Sequence, residues 1–122
     1  MEKSIILLED DPGVRDVIEL ILDLEGYEVI SFDTIEKFMA KKTEHQPALF
    51  ILDVMLPDGT GTDVCRELKA NSENVPVIMM SAHAKAEQIT NACFADAFIA
   101  KPFDINVLLS KVTSLIYSSG LK

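Results

Sequence analysis

The chain has 122 residues, one domain's worth of polypeptide, and can bury a core without disulfide or metal staples. Its 48% hydrophobic content excludes a disordered or fibrous chain. With 11 Lys+Arg against 20 Asp+Glu the formal net charge is −9, which opposes phosphate backbones and anionic membranes. No apolar run is long enough to cross a bilayer, and residues 1–4 lack a signal-peptide pattern. Cys65 and Cys93 form no C-x-x-C and read as small core residues in a reducing compartment. These features predict a single soluble cytoplasmic domain over residues 1–122 that binds neither nucleic acid nor membrane.

In chain order, short apolar runs alternate with longer stretches of helical spacing. Ser4–Leu8 is the first predicted strand. Val14, Val17, Ile18, Ile21 and Leu22 follow the i, i+3, i+4, i+7, i+8 spacing of a helix that stops at Gly26. A second strand, Val29–Phe32, precedes a helix in which Asp33 and Glu36 form a capping box ahead of Ile35, Phe38 and Met39. Ala48–Leu52 is the third strand, and Val64 with Leu68 marks the third helix. Val77–Met80 is the fourth strand, with a weak helical signal from Ile89 and Ala92 behind it. Ala97–Ala100 is the fifth, and Asp104 caps a last helix that buries Ile105, Leu108, Leu109, Val112, Leu115 and Ile116. Strands this apolar are covered on both faces. Five strand–helix repeats with right-handed crossovers give a (βα)5 α/β fold, with helices on both sides of a parallel sheet.

In such sheets chemistry gathers at the carboxyl ends of the strands. There the sequence places Glu9-Asp10-Asp11, Asp53, Ser81 and Lys101, on strands spaced about 4.8 Å apart. Converging carboxylates repel by roughly 4 kcal/mol per close pair, and one lysine cannot neutralise them all. A hard divalent cation can, and oxygen donors suit Mg²⁺, which completes its shell with water and phosphate. The predicted cofactor is therefore Mg²⁺ and the predicted reactant a phosphoryl group. Asp53 is the predicted nucleophile, because it ends a strand and opens the turn-rich loop Val54-Met55-Leu56-Pro57-Asp58-Gly59. That loop can supply the Met55 carbonyl as a further oxygen ligand. Lys101 and Ser81 are placed to hold oxygens of the transferring group. Ser81 also fits a helix N-cap, Phe98 a core position, and His83 an ordinary surface histidine.

Four segments, in order, carry a family resemblance that covers essentially the whole chain. Ile6-Leu7-Leu8-Glu9-Asp10-Asp11, Ile51-Leu52-Asp53-Val54-Met55-Leu56-Pro57-Asp58-Gly59-Thr60-Gly61, Ser81-Ala82 and Lys101-Pro102-Phe103 resemble the receiver domain of two-component response regulators. The resemblance implies a flavodoxin-like (CheY-like) doubly wound sheet of strand order 2-1-3-4-5. It also implies phosphorylation of Asp53 by a sensor histidine kinase or a histidine phosphotransfer protein. Asp10, Glu9, Asp53 and the Met55 carbonyl would hold Mg²⁺, and Ser81 and Phe98 would act as the switch pair. The chain would then be a phosphoacceptor switch rather than a turnover enzyme. It would signal to a downstream protein target as a monomer or a weak phosphorylation-dependent dimer.

Two departures from the pattern stand out. The stretch between Ser81 and Lys101 is a little short, and Phe94 stands where the pattern has glycine. Both predict a shortened or displaced fourth helix and an unusual output surface. Three rival readings exist. A Mg²⁺-dependent aspartyl phosphohydrolase normally wants a second acid two residues after the nucleophile, and Met55 occupies that place. A flavodoxin-like binder needs a Ser/Thr/Gly phosphate loop, where this chain has Glu9-Asp10-Asp11-Pro12. A pseudo-receiver would keep the shape without phosphorylation.

Overall fold

The computed structural model describes residues 3–41, 46–71, 74–82 and 93–120. The strands are β1 (Ser4–Leu8), β2 (Glu28–Phe32), β3 (Leu49–Asp53), β4 (Met55–Leu56), β5 (Gly59–Thr60), β6 (Val77–Ser81) and β7 (Ala97–Ala100). The helices are α1 (Pro12–Leu24), α2 (Ile35–Lys41), α3 (Gly61–Ala70) and α4 (Ile105–Gly120). The main sheet runs β2-β1-β3-β6-β7 and is parallel throughout, which is the expected 2-1-3-4-5 order of its five strands. The weak helical signal at Ile89 and Ala92 lies outside the described residues, as does His83.

Alternation along the strands divides the core into two layers. Ile5, Leu7, Leu49, Ile51, Ile78, Met80 and Ile99 face α1 and α4. Ile6, Leu8, Phe50, Leu52, Val77 and Met79 face α2 and α3. Each such buried side chain contributes about 1.5–3 kcal/mol, so the central strands hold the register and cannot slip by one residue. That register brings the strand ends level. Leu8 pairs with both Phe32 and Leu52, Asp53 with Met80, and Ser81 with Ala100. One residue further on, Glu9 N–H donates to Phe32 O at 3.0 Å, Val54 N–H to Met80 O at 3.0 Å, and Lys101 N–H to Ser81 O at 2.9 Å.

The helix ends follow local chemistry, with one correction. Asp11 caps α1 by accepting from Gly13 and Val14 N–H, and Pro12 fills the first turn. Gly26, at φ +90°, lets the chain leave that helix. Asp104 caps α4 through the Asn106 and Val107 N–H groups. The expected Asp33–Glu36 capping box does not form. Thr34 Oγ1 accepts from Lys37 N–H, while Asp33 pairs with Lys37 in solvent. The other two free N–H groups of α2, on Ile35 and Glu36, donate to the Asp58 carboxylate at 2.9 and 3.0 Å. Asp58 stands more than twenty residues downstream, so it supplies a cap that no local pattern contains. Val17 and Ile105, both expected in the core, are exposed because each lies at the edge of its helix's apolar stripe.

Phe94 adopts φ +61° and is 72% exposed. Left-handed backbone costs a side-chain-bearing residue about 1–2 kcal/mol, which a glycine avoids at an entropic cost of about 0.5–1 kcal/mol. Phe94→Gly is therefore expected to raise the urea midpoint by the equivalent of about 0.5–1 kcal/mol at unchanged m-value. A lowered midpoint would mean that the exposed ring carries folding energy.

Candidate functional site

The carboxyl edge of the sheet gathers the acidic residues of two central strands around one lysine. Glu9, one residue past β1, is fully buried (0% exposed). Its Oε1 accepts from Lys101 Nζ at 2.6 Å and its Oε2 from Asp11 N–H at 3.1 Å. Asp53 closes β3 at 6% exposure, with Oδ2 at 3.3 Å from the same Lys101 Nζ. Asp10 is exposed, yet one of its oxygens lies within 4.8 Å of an oxygen from both Glu9 and Asp53. The structure thus brings together Glu9, Asp10, Asp53 and Lys101.

The charges do not balance. Three carboxylates face one ammonium, and at this spacing each carboxylate pair repels by about 3–4 kcal/mol at an effective dielectric near 20. Burial raises the Glu9 carboxyl above its ordinary value, and the Asp53 charge adds to that while Lys101 and the Asp11 N–H oppose it. Burial works against the charged form of Lys101 as well, but its bonds and attraction to Glu9 and Asp53 outweigh that and raise its pKa. An all-oxygen donor set with surplus negative charge fits a hard divalent cation and nothing soft.

The remaining predicted residues lie on β6, on β7 and at the start of β4. Ser81 is buried at the end of β6, beside Ala100 of β7. Phe98, half-buried in β7, pairs with Met79 and packs on the layer that faces α2 and α3. Residues 79 and 81, and likewise 98 and 100, share a face by strand alternation, so Ser81 and Phe98 belong to the same side of the sheet. Met55 opens the two-residue ribbon formed by β4 and β5, and its side chain is exposed. Lys101 is joined to Pro102 by a cis peptide bond.

Three residues around the site were not singled out by the sequence. Gly61, at the start of α3, donates its N–H to Val54 O at 2.8 Å, and a Cβ there would fall 2.0 Å from Asp53 O. Only glycine allows that approach, and the Gly59-Thr60-Gly61 run was the available signal. Asp58 ties the loop after Asp53 to the start of α2. Arg15, on α1, donates through Nη1 to the carbonyls of Glu9 at 2.9 Å and Asp10 at 3.4 Å. No periodic pattern marks either of the last two.

Residues 5–113 match the family model described as the response regulator receiver domain. The chain is 31% identical over 116 residues to the DNA-binding dual master transcriptional regulator RpaA of Synechocystis, covering 92% of this chain and 48% of that protein. It is also 31% identical over 114 residues to the DNA-binding response regulator MtrA of Mycolicibacterium smegmatis, covering 92% of this chain and 50% of that protein. The chain thus spans about half the length of these relatives. Among solved structures it is similar to a CheY-like receiver domain protein from Methanospirillum hungatei, with a TM-score of 0.89, 30% identity and 98% coverage of both chains.

Two outcomes follow from this geometry. Gly61→Ala is expected to lower stability by about 1–3 kcal/mol in urea titration, because the new methyl group must displace the Asp53 carbonyl. The two N–H bonds from Ile35 and Glu36 hold the Asp58 carboxyl below its ordinary value of 3.8. Its contribution is present above 3.8 and is lost as pH falls through the lower folded value. Asp58→Ala is therefore expected to lower the urea midpoint at pH 7, with the gap to wild type closing below pH 3.8.

Proposed function

Because this chain belongs to the response regulator receiver domain family, we propose that it takes a phosphoryl group onto Asp53 and passes the signal through a changed protein surface. The observation that supports this reading best is the clustering of Glu9, Asp10 and Asp53 around an ammonium that bridges Glu9 and Asp53. The donor in this reading is a phosphohistidine of a sensor kinase or of a histidine phosphotransfer protein. Residues 1–122 act as one receiver domain. In keeping with that, no helix among the described residues is long and apolar enough to cross a membrane. We place the chain in the cytoplasm, where kinase and target are available to it.

An Asp53 carboxylate oxygen forms the new bond to phosphorus. The bond from phosphorus to the donor imidazole breaks, its electron pair returns to the ring nitrogen, and an acyl phosphate remains on Asp53. The carboxylates of Glu9, Asp10 and Asp53 and the Met55 carbonyl would hold Mg²⁺, which supplies charge neutralisation for the phosphoryl oxygens. Lys101 is already within 3.3 Å of Asp53 and can follow a phosphoryl oxygen without leaving Glu9. The Ser81 hydroxyl can hold another oxygen from the end of β6.

Switching needs a group that binds one conformation better than another. A phosphoryl group on Asp53 would draw Ser81 toward it. Phe98, on the same face of the sheet two positions back along the neighbouring strand, would move into the space released. Output then goes to a downstream protein, with the chain a monomer or a weak phosphorylation-dependent dimer. The net charge of −9 opposes direct contact of this domain with DNA. The relatives' names describe DNA-binding regulators, and any DNA contact in a longer protein would need a different part of it. The chemistry is that of a phosphoacceptor, since Met55 stands where a phosphohydrolase would keep its leaving-group acid.

Intact mass after incubation with acetyl phosphate and Mg²⁺ tests the reading. Wild type is expected to gain a single phosphoryl adduct that does not form when the cation is chelated from the reaction, and Asp53→Asn to gain none. Lys101→Ala is expected to label slowly and to lose the conformational response. An equal adduct on Asp53→Asn would overturn Asp53 as the acceptor, and no adduct on wild type would overturn the phosphoacceptor reading and favour a receiver that works without phosphate.

A further inference from the structure

Of three consecutive acidic residues at the end of β1, two have their carboxylates bonded within the protein. Asp11 is spent on the N-cap of α1, and Glu9 is spent on Lys101 and the Asp11 N–H. Asp10 keeps an exposed carboxylate within 4.8 Å of the other two in the cluster, in a loop whose own charges push it away. Something must hold that loop against the repulsion.

Peptide planarity makes the requirement specific. The direction of the Asp10 side chain follows from its φ and ψ, which are set by the two peptide planes on either side of its Cα. The plane before it carries the Glu9 carbonyl, and the plane after it carries the Asp10 carbonyl. Both carbonyls accept from Arg15 Nη1, at 2.9 and 3.4 Å. The second plane is also held at its other end, where Asp11 N–H donates to Glu9 Oε2. Arg15 itself is anchored in the first turns of α1 by its N–H bond to Asp11 O at 2.9 Å. The backbone of Asp10 is therefore fixed from outside while its carboxylate is left unspent.

We propose that Arg15 is a positioning residue: its bonds to the Glu9 and Asp10 carbonyls set the turn that presents the Asp10 carboxylate to a divalent cation. This rests on the phosphoacceptor reading of the site and adds to it a residue outside the acidic cluster. Charge alone predicts the opposite effect. A guanidinium near a cation site repels the cation, so removing it would tighten binding if electrostatics were its only role. Positioning predicts weaker binding, because a loosened turn must be reordered each time the ion is taken up.

The test is calorimetric titration of the full chain with Mg²⁺, comparing wild type, Arg15→Met and Arg15→Lys. Arg15→Met keeps the alkyl stem and loses both donors and charge, and it is expected to weaken Mg²⁺ binding about ten-fold. Arg15→Lys keeps a donor and the charge, and its loss is expected to be smaller than that of Arg15→Met. Should Arg15→Met fail to fold, Arg15→Lys carries the same comparison. Labelling by acetyl phosphate should fall at limiting Mg²⁺ and return to the wild-type rate at saturating Mg²⁺, as a role confined to presenting the cation's ligand requires. Unchanged or tighter Mg²⁺ binding in Arg15→Met would overturn the proposal, as would a labelling defect that saturating Mg²⁺ does not repair. Wild-type protein that binds no Mg²⁺ would overturn the phosphoacceptor reading and the role of Arg15 together. Normal binding by wild type and by both variants would overturn the Arg15 role alone.

Discussion

A carboxylate with no exposure to solvent is the constraint on which the rest of this sheet edge depends. Taking the charge of Glu9 out of water costs several kcal/mol, and only a close, well-directed partner offsets it. That partner, Lys101, leaves β7 at the edge of the sheet, while Glu9 leaves β1, three strand positions away or roughly 14 Å. The long members of the two charge classes are needed to meet across that width, and they pass over the end of β3, where Asp53 sits. One contact therefore depends on the register of four strands. In return, it places an ammonium 3.3 Å from the Asp53 carboxylate, the acceptor in the proposed reading.

The sheet itself was legible because its signal is composition. Runs such as Leu49-Phe50-Ile51-Leu52 are apolar on both faces, which only a strand covered by helices on both sides requires. The strand-end residues followed at once, since parallel strands all finish on one edge. Glu9, Asp10, Asp53 and Lys101 were read that way, and all four are clustered in the structure. The same logic placed Ser81 at the end of its strand.

Residues that act through reach were not legible. Arg15 looks like any charged residue near the start of an amphipathic helix, and nothing in its spacing says that its guanidinium turns back onto two carbonyls. Asp58 reads as a turn former in Pro57-Asp58-Gly59, which it is, but its carboxylate caps a helix that the chain left long before. The capping-box expectation at Asp33 failed for the same reason. Thr34 and the distant Asp58 satisfy the N–H groups of α2, and Asp33 is released to pair with Lys37. Hydrophobic periodicity reports which face is buried, whereas these contacts depend on where long polar side chains end.

The tethers on the two acidic segments solve a problem that the cluster creates. Carboxylates held this close repel whenever no cation lies between them, so an untethered loop would relax outward. It would then have to be drawn back, at an entropic cost, before each round of chemistry. Here that ordering is completed during folding. The β1 loop is held by Arg15 and by the cap on α1. The β3 loop is held by the Asp58 bonds to α2 and by the close approach of Gly61 to Asp53. Preorganised sites of this kind respond to small displacements, because the charges cannot spread to absorb a new one. In the proposed reading, a phosphoryl group added at Asp53 is therefore accommodated through the contacts Asp53 already makes, of which the one to Lys101 at 3.3 Å reaches across to the β7 side of the sheet.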